Sequence, residues 1–381
     1  MRKLQLALKI ALVLFVVLEL GLRVTFTSHP RLWCADPVLG HVLRPGASGW
    51  WEEEGDGFVQ VNANGMRDKV HPVERKPGRV RIAVLGDGMT EADQVMQTET
   101  WPSLLETALT QRPELVSRGV EVLNFGVNGY STGQELLLFR QRVKAFKPDI
   151  VLVCFDASND VPGNSAALGG AGARPYFRRD GQAVVEDERF RASMSQWAIA
   201  VPFFALVDVL ADWSRVVQEV AWIAARFGES RAPADPSGLT SADRAYAPSP
   251  DDNWREAWMI TERLFITLRD DCKDAGAKLM VVCATYGPQV DPDPKVREGL
   301  AQKLGVADLL YPETRLAPFL VGNRVPFYPL APVFQRQATA QNVQYHGFER
   351  HGTPGRGHWN KDGHALAAKL IVPWLLQHLQ D

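Results

Sequence analysis

Ile82-Ala83-Val84-Leu85-Gly86-Asp87-Gly88-Met89-Thr90-Glu91-Ala92 carries an apolar strand straight into a Gly-Asp turn that opens toward a helix. The apolar run, Val80 to Leu85, has the length and continuity of a strand buried on both faces. Working outward, the pattern repeats. Helix 101–111, strand 120–125, helix 132–146 and strand 150–155 follow at close spacing. Apolar strands alternating with amphipathic helices predict a parallel sheet covered on both faces. In such sheets ligands bind beyond the carboxyl ends of the strands. Gly88, Gly126 and Asn159 all fall at those ends.

Three more blocks extend the pattern. Asn124-Phe125-Gly126-Val127-Asn128-Gly129 closes the second strand, and Ala157-Ser158-Asn159-Asp160 follows the third. His358-Trp359-Asn360-Lys361-Asp362-Gly363-His364 precedes the expected last helix. Four blocks in this order resemble the SGNH/GDSL hydrolase superfamily, over roughly residues 36–381. The resemblance implies a flavodoxin-like three-layer α/β/α fold with a central parallel sheet. It also implies an ester hydrolase or a related acyl transferase. Position 88 corresponds to the superfamily's serine nucleophile, and here it is Gly88. Gly88 N–H, Gly126 N–H and the Asn159 side chain are the implied oxyanion hole, and His358 is the implied general base. Losing one such donor usually costs ~10²–10³ in turnover, so a hole that survives without the serine would still matter.

Two departures from the pattern bear on catalysis. Gly88 keeps a backbone N–H and loses the hydroxyl. The superfamily's acid lies two or three residues before the histidine, where this chain has Arg356 and Gly355. Neither can orient an imidazole and stabilise its charged form. Glu349 and Asp362 are the substitutes a loop could supply. Thr90, Ser131 and Ser158 are hydroxyls near the blocks, but none has an evident activating base. Asp87 and Thr90 are expected to brace the turn, Asp160 to position Asn159, and Asn360 to support His358. His346, His351, His358, His364 and His378 crowd the C-terminus, yet their spacing matches no recurring zinc motif. No metal or cofactor is assigned.

Composition narrows the classes. A chain of 381 residues with 46% hydrophobic content and a net charge of −2 can bury a large core. It has no basic stripe interleaved with aromatics, so nucleic acid is excluded as a partner. Cys34, Cys154, Cys272 and Cys283 are too few and too scattered for a disulfide framework.

The N-terminus has Arg2 and Lys3 before an apolar run from Leu4 to Val24, interrupted by Lys9, Glu19 and Arg23. The run is near the ~20 residues needed to span a bilayer. No small-residue cleavage site follows, which reads as an uncleaved signal anchor over residues 1–28 with an exported, periplasmic or extracytoplasmic body. Residues 29–79, rich in Pro, Gly and Trp, read as a small β-rich extension, with the Arg67-Asp68 pair structural. Residues 80–381 form the α/β domain, interrupted at about 161–252 by an insertion. There, Trp197 to Phe227 predicts one or two helices that cover the sheet edge or the mouth of the site, with a membrane-surface helix as the alternative. Gly228 to Asn253 reads as an exposed loop. Helix 252–275, strand 278–284, a short strand at 325–328 and helix 361–379 complete the alternation.

Three functions stay open: a weakened hydrolase in which His358 activates water, a pseudoenzyme that binds glycan or acts as a scaffold, and an active esterase disabled by an engineered glycine. A subunit related to O-acyltransferases belongs beside the second. The ligand implied by resemblance and location is an ester-bearing small molecule or an O-acylated envelope carbohydrate.

Overall fold

Val80–Gly86 sits inside a five-stranded sheet, flanked by Val120–Asn124 on one side and Ile150–Phe155 on the other. Beyond Ile150–Phe155 lie Lys278–Cys283 and then the short edge strand Phe327–Pro329. All four pairings are parallel. Numbered in chain order, the strands run 2-1-3-4-5, the flavodoxin-like order. The structure is a computed structural model describing residues 1–169, 174–197, 201–228 and 238–379.

Strand periodicity divides the core in two. Ala83, Leu85, Leu123, Val151 and Val153 face a cluster shared with helices Thr132–Gln141, Asp252–Asp274 and Tyr311–Gly322. Ile82, Val84, Val122, Leu152 and Cys154 face the other cluster, with helices Trp101–Thr110, Ala331–Gln341 and Lys361–Leu379. Side chains alternate across a strand, so burying both faces demands the continuous apolar runs seen in the sequence. The three-layer α/β/α architecture follows.

At the lower end of the sheet, Arg81 is fully buried. Its guanidinium donates to Glu121 Oε2 at 2.9 Å and to the carbonyls of Phe146 and Val73 at 2.7 and 3.0 Å. A buried charge persists in a core only when paired and hydrogen-bonded in this way.

Before the sheet come two antiparallel hairpins, Trp33–Asp36 with Gly40–Leu43 and Ser48–Trp51 with Gly57–Gln60. Buried Arg67 ties them to the Gly-Asp turn by donating to the carbonyls of Phe58, Glu91, Ala92 and Val95. Asp68 Oδ2 accepts from Asn124 N–H at 2.9 Å and joins the extension to the second core strand. Ahead of the hairpins, helix Arg2–Val24 is long and apolar enough to cross a membrane, and none of its residues is buried.

After Ala157–Asn164 the chain leaves the alternation through hairpin Phe177–Asp180/Ala183–Glu186 and helices Glu188–Trp197, Val201–Trp213 and Arg215–Gly228. The loop expected over 228–253 falls partly outside the described residues. Its described part includes one helical turn, Ser241–Arg244, capped by Thr240. Helices Pro294–Leu304, Tyr311–Gly322 and Ala331–Gln341 add to the elements that the sequence pattern predicts. Pro294, Pro312 and Pro332 each occupy the first turn of one of them. There a missing N–H costs nothing and the fixed φ favours the helix.

Candidate active site

The topological switch falls between Val80–Gly86 and Ile150–Phe155, whose loops leave in opposite directions and open a crevice. In register, Gly86 pairs with Cys154 and Val84 with Asn124, so the loops after all three strands emerge together. Asp87 opens the first loop as the N-cap of the single turn Gly88–Glu91, its Oδ1 accepting from Met89 N–H at 2.9 Å. Thr90 is wholly buried beneath the turn.

His358 arrives from the far end of the chain and covers Gly88. A Cβ at Gly88 would land well inside contact distance of His358 Nε2 and 2.9 Å from Asn128 Oδ1. The imidazole therefore occupies the space that a residue-88 side chain would need. The loop behind it is pinned. Trp359 Nε1 donates to Thr285 Oγ1 at 2.7 Å, and His346 bridges Thr285 Oγ1 at 2.7 Å and the Gly357 carbonyl at 2.8 Å. Asn360 Oδ1 accepts from the N–H groups of Asp362 and Gly363, both at 3.1 Å, and so caps helix Lys361–Leu379. Its Nδ2 holds the Gln344 carbonyl at 2.8 Å.

The acid partner of His358 is Glu54. Its Oε2 lies 2.6 Å from His358 Nδ1, and its Oε1 accepts from His358 N–H at 2.8 Å. Neither Glu349 nor Asp362 takes this place: Glu349 begins a short surface turn of 3₁₀ helix, and Asp362 is exposed. Glu54 lies in the turn of the second N-terminal hairpin. The hairpin fits because Gly57 passes against the Asp93 carbonyl, where a Cβ has no room. Glu52-Glu53-Glu54-Gly55-Asp56-Gly57 places acid groups among glycines that permit close approach, but nothing in the stretch points to residue 358.

Electrostatics set the charge state. Burial pushes the His358 imidazole down, but the hydrogen bond and charge of Glu54, with Asp87 and Asp156 beyond, outweigh it and lift the group to about 9. Burial raises Glu54, and the hydrogen bonds and charge of His358 bring it below its ordinary value. Burial and the charge of Asp156 push Asp87 up to about 7. At neutral pH the pair is an imidazolium beside a carboxylate.

The expected three-donor hole is not assembled. Gly126 N–H donates to Asn124 Oδ1 at 2.9 Å, and a Cβ there would strike the backbone of Thr90 and Glu91. That glycine serves close packing under the turn. Asn159 Nδ2 donates to Asp87 Oδ2 at 3.1 Å and to the Tyr130 carbonyl, so it braces the turn. Among the described residues, Gly88 N–H is the expected donor left without an acceptor. Asp160 receives Thr132 Oγ1 at 2.7 Å and Asp156 N–H at 2.8 Å, holding the third loop. Ser158 Oγ donates to Asp156 Oδ1 at 2.7 Å. Ser131 is fully buried.

The C-terminal histidines separate into different settings. Burial pushes His346 down to about 4 and His364 down to about 3, so both are neutral packing groups. His378 contacts the Trp374 carbonyl at 2.8 Å, and His351 faces Asp56. Two clefts, of about 1040 and 680 Å³, flank the loop between His346 and His358.

The parallel sheet and ordered blocks resemble the SGNH/GDSL hydrolases. No family model matches the chain. A curated arylesterase from Vibrio mimicus is 31% identical over 83 residues, which cover 22% of this chain and 40% of the arylesterase. The chain thus spans well under half the length of that relative. Among solved structures, the acetyl xylan esterase AlAXEase is 11% identical over 77% of this chain and 98% of its own, with a TM-score of 0.38. A lipolytic protein of the G-D-S-L family from Desulfitobacterium hafniense DCB-2 is 10% identical over 77% and 98%, with a TM-score of 0.37.

Proposed function

We propose that this protein is an SGNH/GDSL-type acyl-ester site, impaired in hydrolysis, acting on O-acyl groups of an envelope carbohydrate. The observation that carries the reading is the Glu54–His358 pair standing over Gly88 at the switch point of the sheet. Resemblance to ester hydrolases and the arylesterase relative support the chemistry. The apolar N-terminal helix supports an envelope setting.

Two steps follow from the residues present. At neutral pH, His358 Nε2–H is a charged donor placed to hold an acyl oxygen, assisted by Gly88 N–H. As pH approaches 9, the imidazole loses its proton and can act as a base. Water oxygen then bonds to the acyl carbon while its proton passes to His358 Nε2. Collapse breaks the acyl–oxygen bond and returns that proton to the departing alcohol, giving acid and alcohol. Glu54 holds the ring and its charge throughout. Without a covalent step and with Gly126 and Asn159 committed elsewhere, this route is slower than the roughly 10³–10⁴ over water that an intact hole and binding alone give.

A second reading, a non-catalytic carbohydrate-binding protein, is favoured by one observation: Asn159 and Gly126 have already committed their donors. Hydrolysis of a small activated acetate ester by the full chain and its Gly88→Ser variant separates the two. The serine needs the His358 ring, held by Glu54, and the Asn128 side chain to give way, because its Cβ would stand inside contact distance of both. The variant is expected to gain on the order of 10³-fold or more. The gain should vanish with His358→Ala and fall with Glu54→Gln. A folded Gly88→Ser protein that stays at the buffer rate overturns the hydrolase reading in favour of the binding one.

A further inference from the structure

Helices Val201–Trp213 and Arg215–Gly228 are built inside out. Among the described side chains, the polar ones pair with the protein. Asp208 pairs with Arg31, Asp212 with Arg44 at 2.9 Å, and Glu219 with His29 at 2.6 Å. Buried Gln218 accepts from Ser28 Oγ at 3.2 Å, and Trp222 stacks on His29 with ring centroids 4.0 Å apart. The outward positions are Leu206, Val209, Leu210 and Trp213 on the first helix and Val220 and Ile223 on the second, and Trp213 is 80% exposed. The spacing of three and four residues puts each set on one helical face. A soluble surface helix has the opposite arrangement.

The same helices receive the end of the membrane-length N-terminal helix. Glu19 accepts from the backbone N–H groups of Arg215 and Val216, both at 3.1 Å, and from Ser214 Oγ at 2.9 Å. Arg23 donates to Glu19 at 2.7 Å and to the Trp213 carbonyl at 2.8 Å. The carboxylate that interrupts the apolar run is thus the cap of a neighbouring helix. Through these bonds, helix Arg2–Val24, unburied along its length, ends against the junction of the two helices that carry the exposed apolar face.

We propose that helices Val201–Trp213 and Arg215–Gly228 lie in the boundary layer of a lipid bilayer, with Leu206, Val209, Leu210, Trp213, Val220 and Ile223 among the acyl chains. The N-terminal helix enters the same leaflet beside them. A single spanning helix tethers a body but leaves its orientation free; a second apolar contact fixes it. The body then stands on the membrane at one angle, with its insertion as the foot. This contact is independent of the chemistry at His358.

The test is the depth of spin labels on the full chain in vesicles of phosphatidylethanolamine and phosphatidylglycerol. Labels go on Leu206→Cys, Val209→Cys and Val220→Cys, with Val116→Cys and Val321→Cys as exposed controls on the core. Unaltered protein supplies the background, since Cys154, Cys272 and Cys283 are buried and Cys34 is half-buried. The expected result is that labels at 206, 209 and 220 meet oxygen but not a water-soluble nickel chelate, while the controls meet the chelate freely. Equal exposure to the chelate at all five positions overturns the proposal. So does shielding from both reagents at the insertion, which would assign the face to a protein partner or a second copy.

Discussion

Glu54 sets the charge on His358, and in the proposed hydrolysis that charge decides whether the ring donates or accepts a proton. Proton titration of the His358 ring in the full chain is expected to show a midpoint near 9. Glu54→Gln should bring it toward the ordinary histidine value of about 6.5. A midpoint near 6.5 in the unaltered chain would remove Glu54 as the partner in solution. The same pairing makes stability depend on pH with a defined sign. A folded-state value above the unfolded one means that the folded protein holds the proton more tightly. Its contribution is fully present below about 6.5 and is lost as pH rises through 9. Denaturant melts of Glu54→Gln should therefore show their full deficit near pH 6 and a smaller one near pH 10. Gly88 and His358 were legible because each lies in a local block at a strand end or helix start. Glu54 was not, because its contact with His358 joins residues 304 positions apart.

Hairpin Ser48–Trp51/Gly57–Gln60 is the element that delivers Glu54, and its fit depends on bare backbone. A Cβ at Gly57 would strike the carbonyls of Asp93 and Val95, which cannot move as a side-chain tip can. Gly57→Ala is expected to lower the melting temperature and, by shifting the hairpin, to lower the His358 titration midpoint. Gly299→Ala is the control. Nothing lies within 4 Å of its added carbon, and it sits inside helix Pro294–Leu304, so about 0.5–1 kcal/mol of stabilisation is expected with His358 unchanged. A Gly57→Ala protein that melts lower but keeps its His358 midpoint would show that the hairpin does not set the ring's charge. Elements with strong periodicity, such as Ile150–Phe155 and Asp252–Asp274, are legible in the sequence. The three helices between Pro294 and Gln341 are not, because a proline read alone suggests a break. In position, Pro294, Pro312 and Pro332 each start a helix.

Across the whole molecule, the site and the membrane contact share one strut. Residues 28–60 touch His358 through Glu54 and the insertion through Ser28, His29, Arg31, Arg44 and Glu53. The N-terminal helix meets that insertion through Glu19. Composition revealed an apolar helix and an apolar insertion separately, but nothing in their sequences said that one caps the other. The cap is testable without reference to catalysis. Replacing a capping group at a helix N-terminus costs roughly 1 kcal/mol, and a carboxylate there also loses its interaction with the helix dipole. Glu19→Ala in vesicle-reconstituted full chain is expected to speed amide exchange at Arg215, Val216 and Val217 about fivefold or more, the factor that ~1 kcal/mol implies. Glu19→Gln keeps an acceptor and should fall between the two. Exchange in the core strands Val80–Gly86 and Ile150–Phe155 should not change. If Glu19→Ala leaves residues 215–217 as protected as before, the two apolar elements are not joined at this corner. The N-terminal helix would then tether the body without orienting it.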